Sequence, residues 1–80
     1  MRQKRFAYGE HALLQMEERG ISQNLVEKAF VSPNDISSAK KGRQRLLKHV
    51  RKNFSLVIIF RESITAFHII TAYFTDKRST

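Results

Sequence analysis

The sequence predicts an α+β fold in which two N-terminal helices pack on a four-stranded antiparallel meander sheet. Apolar residues recur at helical spacing in the first half of the chain and at strand-like spacing in the second half. Short turns join the predicted strands, and short turns connect antiparallel neighbours. A chain of 80 residues suits one domain. We expect this domain to span 1–80, with flexible ends at 1–5 and 76–80.

The first predicted helix runs from Gly9 to Arg19. Its apolar residues Ala12, Leu13 and Met16 fall on one side of the helix. Gly20 follows directly and Arg19 lies in the last turn, an arrangement typical of a helix C-terminus.

The second predicted helix begins after Ser22, whose hydroxyl can accept a hydrogen bond from a free amide of the first turn. The helical period continues through Ile21, Leu25, Val26, Ala29 and Phe30. The segment Ser32-Pro33-Asn34-Asp35 ends this helix, because proline lacks a backbone donor and its neighbours favour turns.

Four strands are predicted in the second half, at Ile36 to Lys40, Arg43 to Val50, Phe54 to Arg61 and Ile64 to Phe74. The turns between them are Lys41-Gly42, Arg51-Lys52-Asn53 and Glu62-Ser63. The third strand is rich in β-branched and aromatic residues and carries large apolar side chains on both faces. We therefore expect it to be central.

Composition excludes several classes of protein. Cysteine is absent, so neither a disulfide framework nor a thiolate metal site can form, and a reducing, cytoplasmic environment is favoured. The N-terminus lacks the apolar segment of a signal peptide, and the longest apolar run is too short to cross a membrane. The spacing of His, Asp and Glu does not favour a metal site, and no glycine-rich phosphate loop occurs. No cofactor is predicted.

The charge distribution points to a polyanionic ligand. Lys and Arg number 15 against 7 Asp and Glu, which gives a formal net charge of +8. An excess of this size on a small domain is typical of proteins that meet nucleic acid, an anionic surface or an acidic partner. Seven basic residues lie in what we call the basic hairpin, residues 40–52: Lys40, Lys41, Arg43, Arg45, Lys48, Arg51 and Lys52. We expect them to bind nucleic acid, with RNA favoured.

Alternation along the second strand separates the basic hairpin into two faces. Arg43, Arg45 and His49 fall on one face and Lys48 on the other. Guanidinium groups match phosphate oxygens geometrically, so the Arg-bearing face could hold several phosphates. The alternative is a solvated edge strand whose charges prevent sheet-to-sheet aggregation. Both interpretations can hold together.

A candidate catalytic set combines the first helix with the last strand. We expect Thr71 and Tyr73 to share a face with core residues of that strand and to emerge at the core's edge, where the helix could bring His11 and Arg19. A base, a cation and an acid around one phosphate suffice for RNA cleavage without a metal. The alternatives are a surface histidine, a helix-end arginine and ordinary strand residues. His11 and Arg19 are eight residues apart, about 80° around a helix, so Arg19 must reach back to share a site.

The other histidines carry less information. His68 falls on the opposite face of the last strand and is expected to be a packing or surface residue. The role of His49 stays open.

Four segments resemble domain-of-unknown-function family 4258 over nearly the whole chain, from about Phe6 to Phe74. They are His11-Ala12-Leu13-Leu14-Gln15-Met16-Glu17-Glu18-Arg19-Gly20-Ile21-Ser22 with Val26-Glu27-Lys28-Ala29, Gly42-Arg43-Gln44-Arg45, Leu56-Val57-Ile58-Ile59 and Ile70-Thr71-Ala72-Tyr73. That family is similar in organisation to the small RNase toxins of the barnase, colicin and RelE-like group, several of which need no metal. In related contact-dependent toxins, a His and an Arg of the helical part join a Thr and a Tyr of the last strand. The resemblance thus implies His11, Arg19, Thr71 and Tyr73 here.

The leading hypothesis is a metal-independent endoribonuclease that could be the toxin of a toxin–antitoxin pair. His11 would be base or acid, Tyr73 its counterpart, Arg19 the phosphate stabiliser and Thr71 a positioning group. Arg43, Arg45 and Lys48 would hold the RNA backbone, and an acidic antitoxin would cover the same face. The alternative is a non-catalytic RNA- or DNA-binding module that uses the basic hairpin; a third hypothesis is a protein-interaction domain. The apolar central strand is also compatible with a dimer.

Overall fold

The computed structural model describes residues 4–76 of the chain. The elements are β1 (Arg5–Tyr8), α1 (Glu10–Glu18), α2 (Gln23–Val31), β2 (Asp35–Ser38), β3 (Gln44–Arg51), β4 (Phe54–Glu62) and β5 (Ala66–Asp76). The predicted flexible ends, 1–5 and 76–80, lie mostly outside the described residues. None of the helices within residues 4–76 has the length and apolarity to cross a membrane.

The sheet differs from the predicted four-stranded antiparallel meander, although the fold is α+β as expected. Five strands form one mixed sheet in the order β1-β5-β4-β3-β2. The additional strand, β1, pairs in parallel with β5, with Arg5 opposite Ala66 and Tyr8 opposite Ile69. The other three pairings are antiparallel. Sequence analysis missed β1 because four residues are too few to establish a period and their partner lies some sixty positions away.

The helices begin and end as local chemistry predicts. The Ser22 hydroxyl accepts a hydrogen bond from the Leu25 amide at 3.0 Å, which confirms the predicted cap of α2. Gly20, after α1, has a φ of 70°, a conformation that glycine adopts without a steric cost. Each helix has nine residues.

The core lies between the helices and one face of the sheet. Val26 and Ala29 of α2 and Met16 of α1 pack with Leu46 of β3 and with apolar residues of β4 and β5: Leu56, Ile58, Phe60, Ile69 and Ala72. Among helix–strand contacts, α1 lies chiefly against β5 and α2 against β3. As expected, β4 is the central strand, and its residues Leu56, Val57 and Ile58 are fully buried.

An aromatic cluster holds β1 to the rest of the molecule. The rings of Phe6 and Phe30 meet edge to face with centroids 5.1 Å apart, and Phe60 and Phe67 complete the group. The Tyr8 hydroxyl donates to a carboxylate oxygen of Glu27 in α2 at 3.1 Å. Burial, together with this bond and the Glu27 charge, raises the pKa of Tyr8. These contacts compensate for the shortness of the strand.

A bulge between β4 and β5 changes which residues of β5 face the core. Ile59 pairs with Thr71 and Phe60 pairs with Ile69, so Ile70 is the extra residue. Phe67 and Ile69 before the bulge, and Ala72 and Phe74 after it, pack in the core. The expectation that Phe67, Ile69, Thr71 and Tyr73 share one face is therefore wrong. Past the bulge, Thr71 and Tyr73 alternate with the core residues instead of joining them.

The burial of α2 makes a quantitative prediction. Val26 is fully buried, whereas Val31 on the same helix is 83 % exposed. We expect Val26→Ala to lower the free energy of unfolding by about 2 kcal/mol, because it leaves a cavity, and Val31→Ala to change it by less than about 0.5 kcal/mol. Urea unfolding of both variants gives the comparison. Equal effects would show that α2 does not carry the core as described.

Candidate nucleic-acid interface and catalytic cluster

The sheet has an open face, on the side away from the helices. It consists of Arg45, Leu47 and His49 of β3, Ser55, Val57 and Ile59 of β4, and Thr71, Tyr73 and Thr75 of β5. These residues alternate with core residues such as Leu46, Ile58 and Ala72, which places them on the opposite side of the sheet. Thr71 lies at the border of this face, where its hydroxyl also reaches Gln15 of α1. The basic strand and the Thr-x-Tyr strand therefore present their polar residues on one surface.

The register arranges the open face in three rows across the strands. Arg45, Ile59 and Thr71 form one row, Leu47, Val57 and Tyr73 the next, and His49, Ser55 and Thr75 the third. Ser55 and Val57 of the middle strand are buried, so β4 forms a floor between the residues of β3 and β5. The backbones of β3 and β5 are two interstrand spacings apart, roughly 10 Å. We call the surface between the side chains of β3 and β5, above these buried residues, the groove.

Arg19 and Thr71 meet at the border of this groove. A guanidinium nitrogen of Arg19 donates to the Thr71 hydroxyl at 3.3 Å and to the backbone carbonyl of Ala72 at 2.9 Å. The Thr71 hydroxyl in turn donates to the amide oxygen of Gln15 in α1 at 2.6 Å. Since β1 pairs with β5 only as far as Ile69, α1 occupies the edge of β5 beyond that point. Arg19 thus donates to the backbone carbonyl of Ala72, which lies beyond the part of β5 that pairs with β1.

The structure does not join His11 to this cluster. His11 is exposed, lies one helical turn before Gln15, and lines a surface pocket with Glu10 and Leu14. Within residues 4–76 its ring makes no hydrogen bond or ion pair. Tyr73 is two residues beyond Thr71 on the open face, and its hydroxyl has no hydrogen-bond partner in the described part of the chain. Of the four predicted catalytic residues, only Arg19 and Thr71 are in contact.

The seven predicted nucleic-acid-binding residues are distributed around β3. Lys40 and Lys41 are exposed in a short 3-10 turn before it, and Arg51 and Lys52 are exposed at its far end. Arg45 lies between them on the open face. The residues thus follow the length of one strand, about 26 Å for eight residues.

Two members of the basic hairpin are less available than the others for contact with a ligand on the open face. Lys48 lies on the helix side of the sheet, where its ammonium donates to the backbone carbonyl of Ser32 at 2.7 Å. Arg43 directly precedes β3, and its Nε is buried with no hydrogen-bond partner among the described residues. Lys48 and Arg45 carry the same charge on opposite faces of one strand.

His49 has a position that sequence analysis left unassigned. Its Nδ1 lies 2.9 Å from the hydroxyl of Ser55, a residue only 1 % exposed, and its backbone amide donates to the side-chain oxygen of Asn34 at 2.8 Å. Alternation had placed His49 beside Arg45, but the strand register that brings Ser55 opposite could not be read from the sequence. His68 is exposed, with Nε2 3.3 Å from the Ser63 hydroxyl, as expected of a surface residue.

One acidic side chain with a shifted pKa lies near the end of β4, away from the rows of the open face. Glu62 pairs with the Lys4 ammonium and accepts from the side-chain amide of Gln44 at 3.3 Å. The Lys4 hydrogen bond is the main reason that the pKa of Glu62 is lowered; burial opposes it, and the Gln44 hydrogen bond and the Lys4 charge add to it. Among residues 4–76, no three His, Asp or Glu side chains gather as a metal site would require.

Comparison with known proteins gives a family without an assigned activity. A family model described as "Domain of unknown function (DUF4258)" matches residues 8–74, which include both helices, the Arg19–Thr71 cluster and the open face except Thr75. Searches of curated proteins and of solved structures found no match. The matched range bears out the family resemblance on which the sequence analysis relied.

The contacts of Arg19 predict a measurable contribution to stability. Arg19→Ala should lower the free energy of unfolding by about 1 kcal/mol, because it leaves the Ala72 carbonyl without its donor. Arg61→Ala is a matched control, since Arg61 is exposed and makes no hydrogen bond or ion pair in the described residues. Urea unfolding compares the two. Indistinguishable values would show that Arg19 is a solvated helix-end cation.

Proposed function

The chain belongs to the DUF4258 family, and we propose that it is a metal-independent endoribonuclease whose substrate lies along the open face of its sheet. The observation that supports this proposal best is the shared surface of β3 and β5. Arg45 and His49 on one strand face Thr71 and Tyr73 on the other across the floor formed by β4. A single RNA strand fits a groove whose sides are roughly 10 Å apart at the backbone.

The reaction is a transfer of the phosphodiester within RNA. The 2′-oxygen attacks the adjacent phosphorus as a base removes its proton, and a new bond forms between phosphorus and the 2′-oxygen. The bond from phosphorus to the 5′-oxygen breaks, and an acid protonates that oxygen. The products are a 2′,3′-cyclic phosphate and a 5′-hydroxyl, and no oxidant or second substrate is needed.

Arg19, Thr71 and Tyr73 suit parts of this reaction. The Arg19 guanidinium uses one nitrogen for Thr71 and Ala72, so its remaining donors are available to stabilise charge on the phosphate. Thr71 gives its one hydroxyl proton to Gln15 and accepts from Arg19, so it positions the guanidinium; it can donate to a phosphate oxygen only when it releases Gln15. Tyr73 has a phenolic hydroxyl, which can donate a proton. His11 lies one helical turn before Gln15 on the same helix.

The basic residues give the substrate its binding energy. Lys40 and Lys41 at one end of β3, Arg45 in its middle, and Arg51 and Lys52 at its other end could contact successive phosphates of a strand lying along β3. A toxin with this surface would be inhibited by an acidic antitoxin that covers the same residues. The formal charge of +8 supports both an RNA substrate and an acidic protein partner.

A non-catalytic RNA- or DNA-binding module is the second candidate. It is favoured by the lack of contact between His11 and the Arg19–Thr71 pair within the described residues. Such a module would use the same basic hairpin and would bind through the phosphate backbone. The two candidates differ in whether bound RNA is cut.

Cleavage without a metal is the first prediction of the proposal. Purified protein should cut mixed cellular RNA in excess chelator and leave 2′,3′-cyclic phosphate ends. An oligonucleotide with deoxyribose at the scissile positions should stay intact, because it lacks the attacking 2′-hydroxyl. Gel analysis and mass spectrometry of the products give both results. Intact RNA that nevertheless binds with a clear salt dependence would replace the enzyme by the binding module.

Binding to the open face is the second prediction. Arg45→Ala should weaken RNA binding and reduce the slope of log affinity against log salt by about 1, the loss of one phosphate contact. Lys48→Ala removes the same charge from the opposite face, where its ammonium is held by Ser32, and should change the slope by much less. Affinities measured from 50 to 200 mM salt test this. Equal slopes would mean that net charge, and not the open face, governs binding.

A further inference from the structure

We propose that His49 is the histidine that accepts the 2′-hydroxyl proton, a role that rests on the proposed ribonuclease function. Sequence analysis attached this role to His11, on α1. The geometry favours His49 because its ring is fixed on the open face at the side of the groove. His49 is then a catalytic residue of the site, and Ser55 is the residue that positions its ring.

The His49 ring is held at one nitrogen and available at the other. Nδ1 lies 2.9 Å from the Ser55 hydroxyl, and Ser55 is buried in the floor of the groove. A partner on one ring nitrogen selects the role of the other, as a neighbouring carboxylate or carbonyl does for many functional histidines. Among residues 4–76, Nε2 of His49 has no hydrogen-bond partner. When Nδ1 carries the proton and donates to Ser55, Nε2 is the basic nitrogen.

The backbone of His49 is fixed as well. Its amide donates to the side chain of Asn34, just before β2, at 2.8 Å. The bulge that follows between His49 and Arg51 ends the regular pairing of β3 with β4 at this point. His49 is therefore held by its ring to Ser55 and by its backbone amide to Asn34. The exposed His11 ring, in contrast, makes no hydrogen bond within the described chain. Positioning to within a fraction of an ångström is what general base catalysis requires.

Tyr73 lies on the opposite side of the groove from His49. The two residues are in adjacent rows and on strands roughly 10 Å apart, with Val57 and Ser55 between them. A base and an acid on opposite sides of one phosphate suit the reaction, because the attacking and leaving oxygens are roughly opposite each other. His49 takes the proton from the 2′-oxygen as the phosphorus bond forms, and Tyr73 gives its proton to the departing 5′-oxygen. Water restores both groups.

Four charged or titratable residues lie around His49 and set the context for its pH dependence. Arg45 shares its strand face, Arg51 follows it on β3, Asp35 of β2 is opposite Leu47, and Tyr73 is across the groove. A reaction that needs a neutral imidazole as its base predicts a kcat that rises with pH, and this rising limb should depend on His49.

The test is single-turnover and steady-state cleavage of one RNA oligonucleotide by the full chain and by three His→Asn variants. In His49→Asn the side-chain amide can still bond to Ser55 in place of Nδ1, but nothing replaces Nε2. We expect kcat to fall at least about 100-fold with KM nearly unchanged, and the rising limb of the pH profile of kcat to disappear. His68→Asn, the matched control on the far strand, should keep wild-type kcat. Added imidazole should partly restore His49→Ala.

The outcomes separate this inference from the proposed function. An inactive wild-type protein would overturn both. An active wild type with an equally active His49→Asn would overturn the role of His49 alone, and loss of activity confined to His11→Asn would return the role to α1. Ser55→Ala gives an independent check, since a positioning role predicts a lower kcat and a displaced pH limb, and an unaltered pH profile would contradict it.

Discussion

Burial of the central strand on both faces is the constraint on which the rest of the structure depends. A domain of this size has little interior, and Leu56, Val57, Ile58 and Phe60 of β4 are each at most 1 % exposed. The two helices cover only one side. On the other side, Leu47 and Tyr73 lie beside Val57, and His49 and Thr75 lie beside Ser55. Because these side chains of β3 and β5 flank the buried residues of β4, they form the surface of the sheet that faces away from the core.

Several elements could be read from the sequence because their causes are local. Ser22 caps α2 through an amide three residues away, and Gly20 ends α1 through its own conformation. The composition of residues 54–61 alone predicted a central strand. These features depend on the chemistry of a few consecutive residues, so they can be predicted from a short stretch of sequence.

The features that were missed depend on partners distant in sequence. β1 is a strand only because Phe6 and Tyr8 meet Phe30, Phe67 and Glu27. The bulge at Ile70 shifts the alternation of β5 by one residue, which no strand period reveals. The candidate site shows the same difference. The sequence suggested that Arg19 and Thr71 could meet, and they are in contact. The contact between His49 and Ser55 could not be predicted, because it depends on how β3 and β4 are aligned.

The parallel pairing of β1 with β5 also affects how the chain can fold during synthesis. Translation proceeds from the N-terminus, so Arg5–Tyr8 leave the ribosome some sixty residues before their hydrogen-bonding partners around Ala66 and Ile69. β1 therefore stays unpaired until β5 has been made, with the rings of Phe6 and Tyr8 exposed in the meantime. Because β2, β3, β4 and β5 pair consecutively, the antiparallel part can form from local hairpins while β1 closes the edge late. Within this sheet, β1 is thus the strand most vulnerable to unwanted association during synthesis.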